Sequence, residues 1–448
     1  MNQLRFSRWL VGGAALALVL LTWLAWHGDL VTSRKPLTHA RSKAASESAI
    51  SSLRRPSYVP PAHELASEPS LSHPRKLSLK HEDRLSRLLR RKLNSTGAIR
   101  KEALLKFTSS EALRDFLSRS EYSGLKILGR LDSLRAIRVG FDDLDKLQAA
   151  LEEDAGVYEA IDANFIVRVP DRPDPESRPG LSGAAQFGGD AFLQAIDAEG
   201  NRSTWGGGIT VAVLDTGVEN HPTFSEGQIT HLDLVNDGQP FDGHGTAMAS
   251  LIGGQNEQAP GVAPASHILD VRVADSQGES SSFKLAEGIV RAVDAGAQVI
   301  NISLGSYGDA LVVRDAVAYA ESKGAVVVGS AGNDQTGNQL TYPAAINSVI
   351  SVGGVDADYQ QAYFSNSGKG LDVTAPAVGI QSAYGAQSIV LSDGTSQATA
   401  ITSGVVAHGL SSGSTTAKAA TDWLKQNALP LGLPPERGGA GMIQVESP

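Results

Sequence analysis

Three short blocks, separated by long stretches of chain, constrain the fold of this sequence most. In chain order they hold Asp215 within Val-Ala-Val-Leu-Asp-Thr-Gly, His244 within Asp-Gly-His-Gly-Thr, and Ser396 within Gly-Thr-Ser-Gln-Ala. Asp215 ends an apolar run, 209–214, which is typical of a buried parallel strand. His244 and Ser396 each open a segment of apolar and small residues that predicts a helix. The blocks therefore predict an α/β fold with three polar groups at the ends of its strands and helices.

The three side chains are those that nucleophilic catalysis by serine requires. A hydroxyl becomes a nucleophile when an imidazole takes its proton, and a carboxylate orients the imidazole. On this logic Ser396 attacks, His244 is general base and then general acid, and Asp215 orients it. A fourth block, Val-Gly-Ser-Ala-Gly-Asn333, follows another apolar run and offers its amide to an oxyanion, with the backbone N–H of Ser396 as the second donor. Taken singly, each residue also fits a cap, a turn or a surface position.

Together and in this order, the four blocks resemble those of the subtilisin-like serine proteases, the subtilases of peptidase family S8. The resemblance covers about residues 186–448. It implies a three-layer α/β catalytic domain with a mainly parallel sheet, and serine endopeptidase activity through a Ser-His-Asp triad and an acyl-enzyme. It also implies that substrate pairs as an added strand. The substrate-binding residues that it implies are Ser303, Leu304, Gly305, Ser330, Ala331 and Gly332.

Two positions depart from the pattern of that family. The family usually has Met directly after the nucleophile and Pro four residues beyond it, whereas this chain has Gln397 and Ala400. Gln397 removes an oxidisable thioether from the site, and Ala400 is compatible with a helix. Neither change removes a group that the triad needs. Two alternatives stay open: a catalytically silent, membrane-tethered pseudoprotease that binds peptides, and an esterase that acts on other acyl groups.

The first 27 residues predict export. Arg5 and Arg8 precede an uncharged run, 9–26, which has about the length that crosses a bilayer and carries tryptophans near both ends. We expect a signal anchor, with the N terminus inside and the catalytic domain outside the cytoplasm. A cleaved signal peptide, giving a secreted or periplasmic protein, is the alternative.

Three further segments precede the catalytic domain. Residues 28–97 form a basic spacer rich in Ser and Pro. Residues 98–170 predict the β-α-β-β-α-β order of a ferredoxin-like unit, with a closing strand over 157–169. By its position this unit resembles the inhibitory I9-like propeptide of subtilases; a generic binding module is the alternative. Residues 171–185 carry several prolines and predict an exposed activation linker, with self-cleavage between about 171 and 190.

Composition limits the other chemistry. The chain has no cysteine, which excludes disulfides, thiolate metal sites and a cysteine nucleophile, and its formal charge of −9 argues against binding nucleic acid. The triad needs no cofactor. Subtilases often bind structural Ca²⁺, but no acidic loop here has a recognisable ligand spacing, so metal binding stays open. The expected partners are protein or peptide substrates, the propeptide as intramolecular inhibitor, and the membrane through residues 9–26.

Overall fold

The computed structural model describes residues 89–119, 125–153, 156–170 and 184–445. The predicted membrane segment, the spacer before residue 89 and the linker residues 171–183 lie outside the described residues. Within the described ranges, no helix combines the length and the apolar content needed to cross a bilayer.

The first part of the described chain contains a small α+β module. Its elements follow the predicted β-α-β-β-α-β order: β1 Glu102–Phe107, α1 Ser110–Arg119, β2 Lys126–Leu131, β3 Ala136–Gly140, α2 Leu144–Glu153 and β4 Tyr158–Asp162. The four strands form an antiparallel sheet in the order β2-β3-β1-β4. Phe107 lies 5.2 Å from Phe116 of α1 and 5.3 Å from Tyr158, measured between ring centroids, and Leu147 and Leu151 of α2 are buried in the same core. We call residues 98–162 the N-terminal module and residues 163–170 its tail.

The tail differs from the prediction of a single closing strand over 157–169. Strand β4 ends at Asp162, and a separate strand, β5 Ile166–Arg168, pairs antiparallel with Glu279–Ser281 in the following domain. The chain leaves the module here because Asn164 forms hydrogen bonds with the following domain. Its side-chain oxygen accepts hydrogen bonds from the Ser282 hydroxyl and the Phe283 N–H, both at 3.0 Å.

The larger domain follows from residue 184. Its strands are β6 Thr210–Asp215, β7 Ile229–Asp233, β8 Gln255–Asn256, β9 Ala259–Pro260, β10 His267–Arg272, β11 Glu279–Ser281, β12 Val299–Ile302, β13 Val326–Ser330, β14 Ile350–Val355, β15 Val373–Pro376, β16 Ile380–Tyr384 and β17 Ser388–Ser392. Its helices are α3 Ala191–Ala195, α4 His244–Gly253, α5 Ser282–Asp294, α6 Leu311–Ser322, α7 Thr395–Ser412, α8 Ala420–Asn427 and α9 Pro435–Gly438.

A seven-stranded sheet forms the middle layer of this domain. Its order is β15-β14-β13-β12-β6-β10-β7, and all of the neighbouring pairs are parallel. Side chains of β6 alternate between its faces: Val211 and Val213 join the core under α4 and α7, whereas Ala212 and Leu214 join the core under α5 and α6. The predicted three-layer α/β domain with a mainly parallel sheet is therefore confirmed. The N-terminal module packs on the α5 and α6 side.

Candidate active site

Asp215 is the last residue of β6, at the carboxyl edge of the sheet. Its side chain is completely buried. The backbone N–H and the hydroxyl of Thr216 both donate to its Oδ1 atom, at 2.8 and 3.2 Å. These two donors fix the orientation of the carboxylate.

His244 is the first residue of α4 and faces Asp215. It follows Gly243, whose φ of +95° is in the left-handed region that favours glycine. The Nδ1 atom of His244 lies 2.8 Å from one carboxylate oxygen of Asp215 and 3.0 Å from the other. With Nδ1 held by the carboxylate, Nε2 is the ring nitrogen suited to proton exchange with a reacting group.

Ser396 is the second residue of α7 and only 2% exposed. Its hydroxyl lies 3.3 Å from the carbonyl oxygen of Ser303, which it reaches as a donor. Ser396, His244, Asn333 and Pro170 line one small cavity of about 30 Å³. The structure therefore brings the predicted nucleophile, base and amide together, with the end of the tail beside them.

Asn333 has its side chain fixed by Thr395. Its Oδ1 atom accepts from the Thr395 N–H at 3.0 Å and from the Thr395 hydroxyl at 2.8 Å. Both contacts use the carbonyl end of the amide, so the Nδ2 donor is directed to the other side. The Ser396 N–H belongs to the first turn of α7, where backbone donors lack partners within the helix. An amide and a backbone N–H are thus available to an oxyanion.

The predicted substrate-binding residues lie on two loops that follow neighbouring strands. Residues 303–305 follow β12, and the segment 330–332 begins at the end of β13. Gly332 has φ +108°, and a Cβ atom there would collide with the Asn366 side chain.

Sequence reasoning missed several groups that shape this site. Thr395 was part of a recognised block, but its role in holding Asn333 is visible only in the fold. Tyr384, from the hairpin of β16 and β17, lines the cavity and packs against Gly243. Gln397 is 4% exposed; its amide nitrogen donates to Ser392, and its Oε1 has no hydrogen-bond partner among the described residues. Only its departure from the family pattern marked Gln397 in advance.

A second histidine–carboxylate pair lies one strand from Asp215. Asp270 of β10 is buried, and its carboxylate lies 2.9 Å from Nδ1 of His231 on β7. Burial raises the pKa of Asp270, and the hydrogen bond to Asp270 raises the pKa of His231. Among the residues that the structure describes, no group of three His, Asp or Glu side chains is placed to hold a metal ion.

The comparison with known protein families agrees with this fold. The model of the subtilase family, peptidase S8, matches residues 206–441, which is more than half of the chain. The chain belongs to the subtilase family. The predicted family membership is therefore confirmed.

Individual relatives match only part of this subtilase. Subtilisin Savinase from Lederbergia lenta is 36% identical over 210 residues, which cover 46% of this chain and 78% of Savinase. M-protease from Shouchella clausii (strain KSM-K16) is 37% identical over 210 residues, and the match spans about half of its length, 55%. Fervidolysin from Fervidobacterium pennivorans shares the fold, with a TM-score of 0.66 and 23% identity over 79% of this chain and 61% of fervidolysin. A mutant of the protease domain of PatA has a TM-score of 0.50 and 32% identity, covering 55% of this chain and 94% of that domain.

Proposed function

We propose that this subtilase is an exported serine endopeptidase that is made as a zymogen. The observation that carries the proposal is the hydrogen bond from His244 to the buried Asp215, beside a cavity that Ser396 and Asn333 also line. This combination supplies a base, its orienting carboxylate, a nucleophile and an oxyanion donor.

The proposed reaction proceeds in two halves. Ser396 Oγ attacks the scissile carbonyl while His244 Nε2 takes its proton, and Asn333 and the Ser396 N–H donate to the oxyanion. His244 then returns the proton to the leaving amine, which gives an acyl-enzyme. In the second half, water attacks the acyl-enzyme carbonyl while His244 takes its proton. His244 then returns the proton to Ser396 Oγ, and the carboxylic acid product is released. Asp215 stabilises the imidazolium in both halves.

Labelling with a fluorophosphonate probe tests this proposal directly, because the probe reacts with a serine that a catalytic base has activated. We expect labelling of the processed wild-type protein and none of Ser396→Ala. A folded, processed wild type that stays unlabelled would instead favour a silent peptide-binding protein. A far larger kcat/KM on small esters than on long peptides would favour the esterase.

The tail supports an extended peptide as the substrate. Arg168 and Gly305 exchange two backbone hydrogen bonds, at 3.0 and 2.9 Å, and the Val169 N–H donates to the Gly278 carbonyl at 2.9 Å. The tail thus lies as a strand between β11 and the loop after β12. A substrate would use the same backbone groups, so that these bonds supply affinity and the pockets supply selectivity.

Three further features of the tail and of the end of β4 support a propeptide role for the N-terminal module. Pro170, two residues beyond Arg168, lines the cavity with Ser396. Asp162 accepts the Leu311 N–H at the start of α6, at 2.9 Å, and Asn164 accepts donors at the start of α5. A carboxylate or an amide at a helix N terminus satisfies donors that the helix leaves open. The module would therefore inhibit by occupying the cleft and capping two helices.

The register of the tail predicts the first self-cleavage. Because Pro170 lines the cavity with Ser396 and Arg168 pairs with Gly305, we expect the bond after Pro170 to be cut, leaving Asp171 as the new N terminus. N-terminal sequencing of the large fragment at early times measures this. The Ser396→Ala protein should stay whole. A first cut before residue 166, or a processed Ser396→Ala protein, would contradict the proposed register or self-cleavage.

The two capping side chains should set how long the cleaved module stays bound. Each lost cap costs about 1 kcal/mol. The double variant Asp162→Ala/Asn164→Ala should therefore lower the affinity of the cleaved module for the catalytic domain about 30-fold. We expect a shorter lag between cleavage, followed by immunoblot, and full peptidase activity. Asp115→Ala, an exposed change on α1, is the control and should leave the lag unchanged. An unchanged lag in the double variant would rule out capping as a source of inhibition.

Export is proposed from the sequence of residues 1–27. Fractionation of the producing cells, with an immunoblot against the catalytic domain, tests it. If residues 9–26 stay in the membrane, self-cleavage after the module would release the catalytic domain. Retention of the processed domain in the cytoplasm would contradict export, and a persistent full-length membrane form in active preparations would contradict this release.

A further inference from the structure

Arg272 is a buried cation one strand away from Asp215, and the reaction proposed above does not use it. It ends β10, which lies between β6 and β7, and its backbone is opposite Asp215 in the parallel register. The residue is 1% exposed. Burying a guanidinium is unfavourable unless its charge and its donors are matched, so its presence here calls for a physical reason.

Arg272 forms ion pairs with two aspartates that lie between β7 and His244 or at the end of β7. Its Nη1 atom lies 3.2 Å from Oδ2 of Asp233, at the end of β7, and 2.9 Å from Oδ1 of Asp237, in the following loop. Its Nε and Nη2 atoms have no hydrogen-bond partner among the described residues. Most buried side-chain donors have a partner, so the two open donors of Arg272 call for an explanation. One nitrogen joins the strand end to residues 234–243, which we call the histidine loop.

A second contact holds the far end of the histidine loop. The guanidinium carbon of Arg272 lies 4.9 Å from the ring centroid of Phe241, within the range of a cation–π interaction. The same ring packs on Gly217, two residues after Asp215, where a Cβ atom would lie 2.8 to 3.0 Å from three ring atoms. Phe241 is thus held between the guanidinium and the turn that follows Asp215.

The position of the histidine loop determines the position of the His244 imidazole. Asp242, next to Phe241, accepts the backbone N–H of His244 at 3.2 Å. Gly245, on the other side of His244, lies so close to the Gly217 carbonyl that a Cβ atom would not fit. Displacement of the loop would therefore move His244 relative to Asp215.

We propose that Arg272 is a positioning residue for His244. Its ion pairs and its contact with Phe241 hold the histidine loop against the turn after Asp215, so that the imidazole meets the carboxylate at hydrogen-bonding distance. This role rests on the proposed function. A misplacement of about 1 Å in a catalytic group can lower a rate about 100-fold, so loss of Arg272 should reduce turnover without weakening substrate binding.

Steady-state kinetics of the processed enzyme on a short peptide tests the role. We expect Arg272→Met, which keeps the length of the stem, to lower kcat about 30-fold with KM within twofold, and the rate of fluorophosphonate labelling to fall in parallel. Arg272→Lys should recover part of kcat, because it keeps the charge near Asp233 and Asp237. Arg314→Met is the matched control: Arg314 also pairs with an aspartate, Asp309, and lies over a ring at 5.3 Å, and its loss should leave kcat within twofold.

A milder variant covers the case in which Arg272→Met fails to fold. Asp237→Asn removes one ion pair but keeps the side-chain oxygen that accepts the Gln239 N–H. We expect about threefold lower kcat with an unchanged melting temperature. Wild-type kcat in Arg272→Met, or in Asp237→Asn if Arg272→Met does not fold, would overturn the proposal. A loss of kcat in Arg272→Met that only follows a lower melting temperature, with no recovery in the lysine variant, would also overturn it.

Hydrogen exchange provides a readout that does not depend on activity. In a Ser396→Ala background, Arg272→Met should increase amide exchange in residues 234–245 while leaving the core strands unchanged. Unchanged exchange in this segment would overturn the positioning role. A wild type that fluorophosphonate does not label would instead overturn the proposed peptidase function, so the two failures are distinguishable.

Discussion

Replacement of Ser396 by alanine should lower kcat for peptide hydrolysis by about 10⁶-fold, a loss of the size known for the nucleophile of subtilisin itself. The hydroxyl is the only group in the proposed mechanism that forms a covalent bond with the substrate, and a methyl group cannot replace it. What remains comes from the oxyanion donors and from binding. An immunoblot should show the Ser396→Ala chain unprocessed. Progress curves on a chromogenic peptide, recorded at high enzyme concentration after an added protease has removed the module, measure the residual rate.

Ser412→Ala is the matched control for this loss. Ser412 is the last residue of α7, the helix that carries Ser396, and its hydroxyl donates to the Gly409 carbonyl within that helix. The control should process itself normally and keep kcat within twofold. A Ser396→Ala protein that folds, is freed of its module and still turns over at more than one hundredth of the wild-type rate would refute the assignment of the nucleophile.

Asn333→Asp should lower kcat by about 100- to 1000-fold and leave KM nearly unchanged. Loss of an oxyanion-hole amide in subtilisin costs about 3 to 4 kcal/mol of transition-state stabilisation, and the interaction strengthens only as the oxyanion forms. Aspartate keeps the oxygen that accepts both Thr395 donors, at 3.0 and 2.8 Å, but replaces the Nδ2 donor by an acceptor. The local structure should therefore survive while the oxyanion loses its partner.

The control for this substitution is Asn338→Asp, the same change at an exposed position of the loop that follows Asn333. It should keep kcat within twofold. Equal melting temperatures of the two variants would show that the loss in Asn333→Asp is not caused by unfolding. If Asn333→Asp raised KM and left kcat intact, Asn333 would contact the ground state of the substrate, and the oxyanion assignment would be wrong.

The sequence predicted those parts of the site that local backbone structure positions. Asp215 lies at the end of a strand, and His244 and Ser396 lie at the starts of helices, because apolar runs and small residues determine where those elements begin and end. The layer order followed from the continuous apolar strands, which require helices on both faces of a parallel sheet.

Contacts between distant segments could not be predicted from the sequence. The closing strand of the module was predicted to run through residue 169, but Asn164 bonds to the start of α5 and turns the chain into the cleft. Arg272 was simply one polar residue in a strand, since its partners Asp237 and Phe241 come from a loop without periodicity. Such residues gain their roles only when the sheet brings their segments together.

Helices α4 and α7, which carry His244 and Ser396, pack in one apolar core beneath the sheet. Loosening of that core would separate the two side chains before any residue that binds substrate is altered. Catalytic failure on heating should therefore coincide with the cooperative melting of the domain, rather than precede it as a local event. Substitutions that fill this core more tightly would then raise the working temperature of the enzyme and its melting temperature by the same amount.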